Sequence, residues 1–123
     1  MMELEWRICE NGWCDLRVVK LGWSAGKGGV YIIWSAKGVV FVGQGDFEER
    51  FSRHRQDPQI LRYVANKRLF VTWAVVEKSH RNGVERYLVD VLEPLVEHYF
   101  PDDDPIDVNL PPWQAQLYPE ELD

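Results

Sequence analysis

Two neighbouring runs of β-branched and aromatic residues constrain the fold of this chain more than any other feature. They occupy residues 30–36 (VYIIWSA) and 39–42 (VVFV), and only Lys37-Gly38 separates them. Residues of these types favour strands, and a two-residue connection with glycine is typical of a tight hairpin. We therefore predict two antiparallel strands. A run of the same character at residues 69–76 (LFVTWAVV) predicts a third strand in the same sheet.

Signals for a helix follow the second predicted strand. Asp46 can accept hydrogen bonds from the backbone N–H groups of a first helical turn, and Glu49 stands three residues later, where a capping box places it. Phe47 and Phe51 are four residues apart, so both should pack against the sheet from one face of this helix.

Two further helices are predicted. Pro58 limits the first helix, and the apolar residues after it indicate a second, short one. Downstream of the third strand, Asn82 and Glu85 repeat the cap spacing, which places Glu85 in the first turn of the last helix. Pro94 is expected to kink or end that helix. Its predicted core-facing stripe consists of Val84, Leu88, Val91, Leu92 and Leu95.

The length and composition predict one domain. A chain of 123 residues, of which 46% are hydrophobic, can bury one core. We expect an α+β fold over residues 1–123, with a small three-stranded antiparallel sheet flanked by helices. Residues 1 to about 27 are predicted to be an N-terminal extension, with a short edge strand at residues 17–23. Residues 101–123 form an acidic, proline-rich tail that wraps the domain or is mobile.

Neither a membrane nor an export signal is indicated by the sequence. No apolar run approaches the roughly 18–20 residues that span a bilayer, and the N-terminus lacks a basic start followed by an apolar stretch. We therefore expect a cytoplasmic protein. Cys9 and Cys14 are then expected to be reduced thiols, because disulfides are rare in that compartment and a structural zinc ion needs about four ligands.

Charge is distributed unevenly along the chain. The net charge is −6, but residues 93–123 hold nine acidic and no basic side chains, so residues 1–92 have a net charge of +3. The basic stretch at residues 50–68 could bind nucleic acid, although such a stretch is more often a solvated helix face. The acidic tail is expected to lie near this stretch or to repel DNA from the wrong face. The predicted nucleic-acid contacts are Arg53, Arg55, Arg62, Lys67 and Arg68.

Four side chains could form a catalytic site. Arg50 and His54 are one helical turn apart, Tyr31 lies on the first predicted strand, and Glu85 lies on the last helix. A guanidinium, an imidazole, a phenol and a carboxylate supply charge stabilisation, proton transfer and a metal ligand. Taken singly, each has a structural explanation: cross-strand packing, an exposed basic face or a helix cap. The order and spacing of the whole set favour the catalytic interpretation.

The set resembles the motif of the GIY-YIG nucleases, a family that includes DNA-repair incision modules, homing endonucleases and some restriction enzymes. The resemblance covers about residues 28–110. The matching positions are GVY at residues 29–31, FVGQ at residues 41–44, Arg50, His54, Glu85 and Asn109. It implies a divalent-metal-dependent endonuclease that hydrolyses phosphodiester bonds of DNA, including branched or damaged DNA.

The resemblance also implies a role for each matching residue. Tyr31 would activate or orient the attacking water together with His54, and Arg50 would neutralise charge in the transition state. Glu85 would hold one divalent cation, Mg²⁺ or Mn²⁺, because a lone carboxylate indicates a single-metal site. Asn109 would support the site near its metal.

One position departs from the pattern. The second motif of the family normally begins with tyrosine, whereas this chain has Phe41, whose ring packs equally well but carries no hydroxyl. Gly43 remains, as a close backbone approach would require. The alternative prediction is therefore a catalytically weak or inactive GIY-YIG-like domain that binds nucleic acid or a protein partner. The DNA sequence recognised, the choice between DNA and RNA, and the oligomeric state stay open.

Overall fold

A four-stranded antiparallel sheet lies at the centre of the computed structural model, which describes residues 1–24 and 26–113. The order of the strands in the sheet is β1-β4-β2-β3, so β2 is central and β3 lies at one edge. The strands are β1 (Cys14–Asp15), β2 (Gly28–Ser35), β3 (Gly38–Asp46) and β4 (Phe70–Val75). The three strands predicted from the sequence are confirmed, and the sheet has one strand more than expected.

The additional strand is not the predicted edge strand at residues 17–23. Strand β1 ends at Asp15, whose side chain accepts hydrogen bonds from the backbone N–H and the guanidinium of Arg17. The backbone carbonyl of Asp15 also accepts from the N–H groups of Val18 and Val19, so the chain turns at this point. A 3-10 helix follows at Gly22–Ser24. The prediction was wrong because an aspartate-initiated turn outweighs the strand preference of the valines.

Helices cover the two faces of the sheet. They are α1 (Phe47–His54), α2 (Pro58–Leu61) and α3 (Lys78–Leu92). The Asp46 side chain accepts from the Glu49 N–H at 2.9 Å, which confirms the predicted cap. Phe47 and Phe51 are fully buried on the face that carries Tyr31, whereas α3 packs on the opposite face. No helix in the described part of the chain is long and apolar enough to cross a membrane.

Helix α3 differs from the prediction at its start. It begins four residues before Asn82, so Glu85 lies in the third turn rather than the first. Asn82 does not cap the helix; its side-chain oxygen accepts a hydrogen bond from Gln44 instead. The predicted stripe is also partly wrong, because Val91 and Leu95 are exposed. The helix ends before Pro94, as expected, with Glu93 in the left-handed conformation that terminates helices.

The described part of the acidic tail wraps the domain. The Ile106 N–H donates to the carbonyl of Gly83 in α3, and Val108 is buried beside the N-terminal segment. Residues 101–113 therefore lie on the face of the sheet that α3 covers, whereas α1 covers the other face. The acidic tail was predicted to begin at residue 93, and its first part does approach the basic stretch, because His98 stacks on Phe41, whose ring centroid is 4.5 Å from that of His54. Asp104 lies beside α3 instead, and residues 114–123 are outside the described part of the chain.

The expectation of two free thiols was wrong. Cys9 and Cys14 form a disulfide bond. A turn explains the pairing: the Gly12 N–H donates to the Cys9 carbonyl, and Gly12 has the positive φ of 117° that glycine adopts readily. The turn brings the two Cα atoms to 5.1 Å, within the range that a disulfide bridges.

Asn109 fastens the tail to the N-terminal segment. Its Oδ1 accepts from the Leu4 N–H at 2.6 Å, and its Nδ2 donates to the Leu4 carbonyl at 3.0 Å. Its own carbonyl accepts from the indole of Trp6. The segment continues along β4, where the Arg7 N–H donates to the Trp73 carbonyl. Asn109 thus bonds the N-terminal segment, and no hydrogen bond joins it to Glu85 among the described residues, so its role near a metal stays a prediction.

Replacing Asn109 should therefore destabilise the fold. In Asn109→Ala, the two polar backbone groups of Leu4 lose their partners, which should lower the free energy of unfolding by about 2 kcal/mol. Urea unfolding followed by tryptophan fluorescence measures this difference. Asn11→Ala, at an exposed turn position, is the control and should change little. Equal stabilities of the two variants would show that Asn109 does not hold the tail.

Candidate active site

The predicted catalytic residues meet at the end of the edge strand β3. The register of the sheet places Tyr31 of β2 directly opposite Gly43 of β3. A Cβ atom at Gly43 would lie 2.5 Å from the Tyr31 hydroxyl and 2.7 Å from the ring of Phe41. Only a residue without a side chain fits there, so Gly43 makes the space that the phenol occupies.

Tyr31 and His54 form a buried pair. Their exposed fractions are 1% and 9%, and the Tyr31 hydroxyl lies 2.7 Å from His54 Nε2. Burial raises the pKa of Tyr31 above its ordinary value and lowers the pKa of His54 to about 4. Both groups are therefore neutral near pH 7. In the tautomer protonated at Nδ1, the imidazole accepts the hydroxyl hydrogen at Nε2.

Arg50 lies one turn before His54 on α1 and extends along the backbone of β3. Gly45 makes this approach possible, since a Cβ at Gly45 would lie 2.6 Å from Arg50 Nε. The positive charge of Arg50 lowers the pKa values of Tyr31, His54 and Glu85, so it acts on all three groups. Within the described residues, its buried Nε has no hydrogen-bond partner.

Glu85 projects from α3 and is only 2% exposed. Its Oε1 accepts a hydrogen bond from Gln44 Nε2 at 2.8 Å, whereas its buried Oε2 has no hydrogen bond from any described residue. Burial raises the pKa of Glu85 above its ordinary value, and the Gln44 hydrogen bond opposes the shift. One oxygen of this carboxylate is thus held by Gln44, and the other is buried without a hydrogen bond from the described residues.

Two residues at the site were not predicted as functional. Gln44 donates both to Glu85 and, at 2.8 Å, to Asn82 Oδ1. His98 stacks on Phe41, with ring centroids 4.5 Å apart and planes at 10°. Its Nε2 lies 2.9 Å from the Val42 carbonyl oxygen and 3.7 Å from Glu85 Oε2. Gln44 could have been suspected from its place after Gly43, but His98 carries no signal in the sequence.

The structure thus brings together Tyr31, Arg50, His54 and Glu85, and Phe41 and Gly43 lie beside them. The predicted basic contacts divide into two groups. Arg55 donates to the backbone carbonyls of Leu16 and Val19, so it fastens a loop, and its assignment to nucleic acid stays a prediction. The exposed members are Arg53, which pairs with Glu49 at 3.0 Å, and Arg62, Lys67 and Arg68.

Glu85 has the chemistry to hold a divalent cation. Mg²⁺ prefers oxygen ligands and usually keeps several waters, so one or two carboxylates are enough to bind it. Among the described residues, no group of three or more His, Cys, Asp or Glu side chains is arranged to hold a metal ion. The unpartnered buried Oε2 of Glu85 nevertheless fits a cation that also binds substrate and water.

Comparison with protein families, with curated proteins and with solved structures gives no match for this chain. The resemblance to the GIY-YIG nucleases therefore stays a prediction, supported by the motif residues and by their placement at the end of β3.

The buried imidazole of His54 should make stability depend on pH. The unfolded chain takes up this proton near the ordinary pKa of 6.5, whereas the folded protein does so only near pH 4. The unfolded state binds more protons in between, so stability should fall as the pH drops, by about 2 kcal/mol between about pH 7.5 and pH 5. Urea unfolding at the two pH values measures this change.

His54→Gln is the matched variant for this measurement, because its side chain is polar but does not titrate. The variant should lose stability at about pH 7.5 and show a smaller fall toward pH 5 than the wild type. If the free energy of unfolding falls equally in both proteins, His54 is not the group whose low pKa causes the pH dependence.

Proposed function

We propose that this chain is a GIY-YIG-type endonuclease, which hydrolyses phosphodiester bonds of DNA with the help of one divalent cation. The observation that carries the proposal is that two groups of opposite charge at one site, the buried Glu85 and the half-buried Arg50, each have a buried polar atom without a hydrogen-bond partner among the described residues. These atoms are Glu85 Oε2 and Arg50 Nε. Arg50 is also close enough to lower the pKa of Glu85.

The buried carboxylate of Glu85 is costly in a protein that binds nothing. An unpaired buried charge destabilises the folded state by several kcal/mol, so buried charges are normally paired or bind a ligand. A cation bound to a phosphate satisfies both groups, since the cation meets the carboxylate oxygen and the phosphate meets the guanidinium. The site is thus complementary to a metal-bound phosphodiester.

The neutral pair Tyr31–His54 suits the activation of water. The raised pKa of Tyr31 disfavours a phenolate, so the phenol hydroxyl acts as a relay. It accepts a proton from the attacking water as it donates its own to His54 Nε2, 2.7 Å away. His54 is free to accept it because its pKa is about 4.

Arg50 and Glu85 act on the phosphate. The Arg50 guanidinium neutralises negative charge that develops on the phosphoryl oxygens as water attacks. Glu85 would hold the Mg²⁺ or Mn²⁺ ion, which when bound polarises the phosphate. Gln44 keeps Glu85 Oε1 in place, so Oε2 is presented to the ion. The exposed side chains of Arg62, Lys67 and Arg68 are then positioned to attract the DNA backbone.

The second candidate function is a GIY-YIG-like domain that binds nucleic acid or a protein partner without cleaving DNA. Phe41 favours it, because the position has no hydroxyl to join a water network. A cleavage assay with supercoiled, linear, branched and single-stranded DNA in Mg²⁺ or Mn²⁺ distinguishes the two candidates, because only the first predicts cut DNA. Binding without cleavage would establish the second candidate and overturn the first.

Glu85→Gln should abolish cleavage and stabilise the fold. The amide keeps an acceptor for Gln44 but removes a buried charge, so the free energy of unfolding should rise by about 1 kcal/mol. Plasmid cleavage and urea unfolding measure the two effects. Glu97→Gln, at an exposed position, should change neither. Retained cleavage in Glu85→Gln, or full wild-type activity in EDTA, would contradict the metal role.

Arg50→Ala should slow cleavage by on the order of a hundredfold, the scale of losing one transition-state charge donor. Direct Mn²⁺ binding should persist, because Glu85 is unchanged. Arg53→Ala is the matched control, since Arg53 is exposed and pairs with Glu49 on the same helix. An equal loss of rate in both variants would indicate general attraction of DNA rather than a specific role of Arg50.

A further inference from the structure

The segment that follows α3 returns to the candidate site. Leu95 and Val96 donate their N–H groups to the carbonyls of Val39 and Val40, so the segment runs along the outer edge of β3. This path carries His98 to the ring of Phe41, on which it stacks. The edge of Phe100 contacts the other side of the imidazole, with centroids 4.6 Å apart. The imidazole is therefore held by two rings beside Glu85.

The distance between His98 and Glu85 lies at the wide end of the range for two ligands of one ion. Ligands about 2.1 Å from a cation are about 3.0 Å apart at right angles and about 3.6 Å apart at about 120°. His98 Nε2 and Glu85 Oε2 are 3.7 Å apart, which is beyond a hydrogen bond. The carboxylate oxygen is buried and lacks a hydrogen bond from the described residues, so its lone pairs meet no donor within hydrogen-bond distance.

We propose that His98 is a second ligand of the cation, which Glu85 Oε2 and His98 Nε2 hold together. This inference rests on the proposed function, since it concerns the same cation site. Water and phosphate oxygens complete the coordination. His98 thus adds a nitrogen ligand that the sequence pattern did not predict.

Metal binding by His98 requires that its hydrogen bond to Val42 be broken. When no metal is bound, Nε2–H donates to the Val42 carbonyl oxygen at 2.9 Å. A neutral imidazole can move this hydrogen to Nδ1 through solvent, which leaves the lone pair of Nε2 free for a metal. If His98 instead only fastens the segment to β3, its hydrogen stays on Nε2 whether or not metal is added.

A nitrogen ligand changes which metals bind. Mg²⁺ prefers oxygen, whereas imidazole suits the transition metals, so a site with one carboxylate and one imidazole should favour Mn²⁺ or Co²⁺ over Mg²⁺. His98 then acts as the residue that determines metal preference. Its loss should weaken Mn²⁺ binding far more than Mg²⁺ binding.

The test is direct metal binding in the absence of DNA. Mn²⁺ affinity is measured by electron paramagnetic resonance, and Mg²⁺ affinity by its competition with Mn²⁺. His98→Phe is the main variant, because the new ring can still stack on Phe41 but has no nitrogen. It should bind Mn²⁺ at least tenfold more weakly than the wild type, with Mg²⁺ affinity changed less than threefold. His80→Ala, exposed at the start of α3, should bind both metals as the wild type does.

Side-chain NMR gives a second readout on the unaltered protein. Zn²⁺, which is diamagnetic and binds imidazole, should shift the ring-nitrogen signals of His98 and leave those of His80 unchanged. Wild-type Mn²⁺ affinity in His98→Phe, or an equal weakening of both metals, would overturn the inference while leaving the nuclease proposal intact. Absence of DNA cleavage by the wild type, with selective Mn²⁺ binding through His98 retained, would overturn the nuclease proposal instead.

Discussion

The pairing of Tyr31 with Gly43 across β2 and β3 determines the geometry of the whole site. Because position 43 has no side chain, the phenol lies flat over the edge strand and reaches His54 on α1. A shift of this register by one residue would turn Tyr31 to the face that α3 covers. The same shift would move Gln44 away from Glu85. The hairpin thus aligns groups that approach from both faces of the sheet.

Local signals predicted the elements that carry Tyr31, Arg50 and His54. The hairpin follows from strand preference and a glycine turn, and α1 follows from the Asp46 cap and the spacing of Phe47 and Phe51. These interactions join residues that are close together in the chain, so they can be predicted from a short stretch of sequence. The same holds for the end of α3 before Pro94.

Contacts between distant segments were not predictable in this way. Asn109 matches the family motif in order, but its amide bonds the backbone of Leu4, more than a hundred residues away. His98 reaches the site because the chain reverses after α3 and runs along β3. The start of α3 was misplaced because Asn82 resembles a cap, while its actual partner is Gln44. Each error arises where tertiary contacts decide the role of a polar side chain.

The segment around Leu95 and Val96 also closes the hydrogen-bonding edge of β3. An open edge of apolar residues such as Val40 and Val42 is a template on which another chain can add a strand. The chain that brings His98 to Glu85 therefore also shields the sheet from self-association. Sequence changes that detach this segment would expose β3 and lead to oligomers or aggregates, so the segment that carries His98 also determines the colloidal behaviour of the protein.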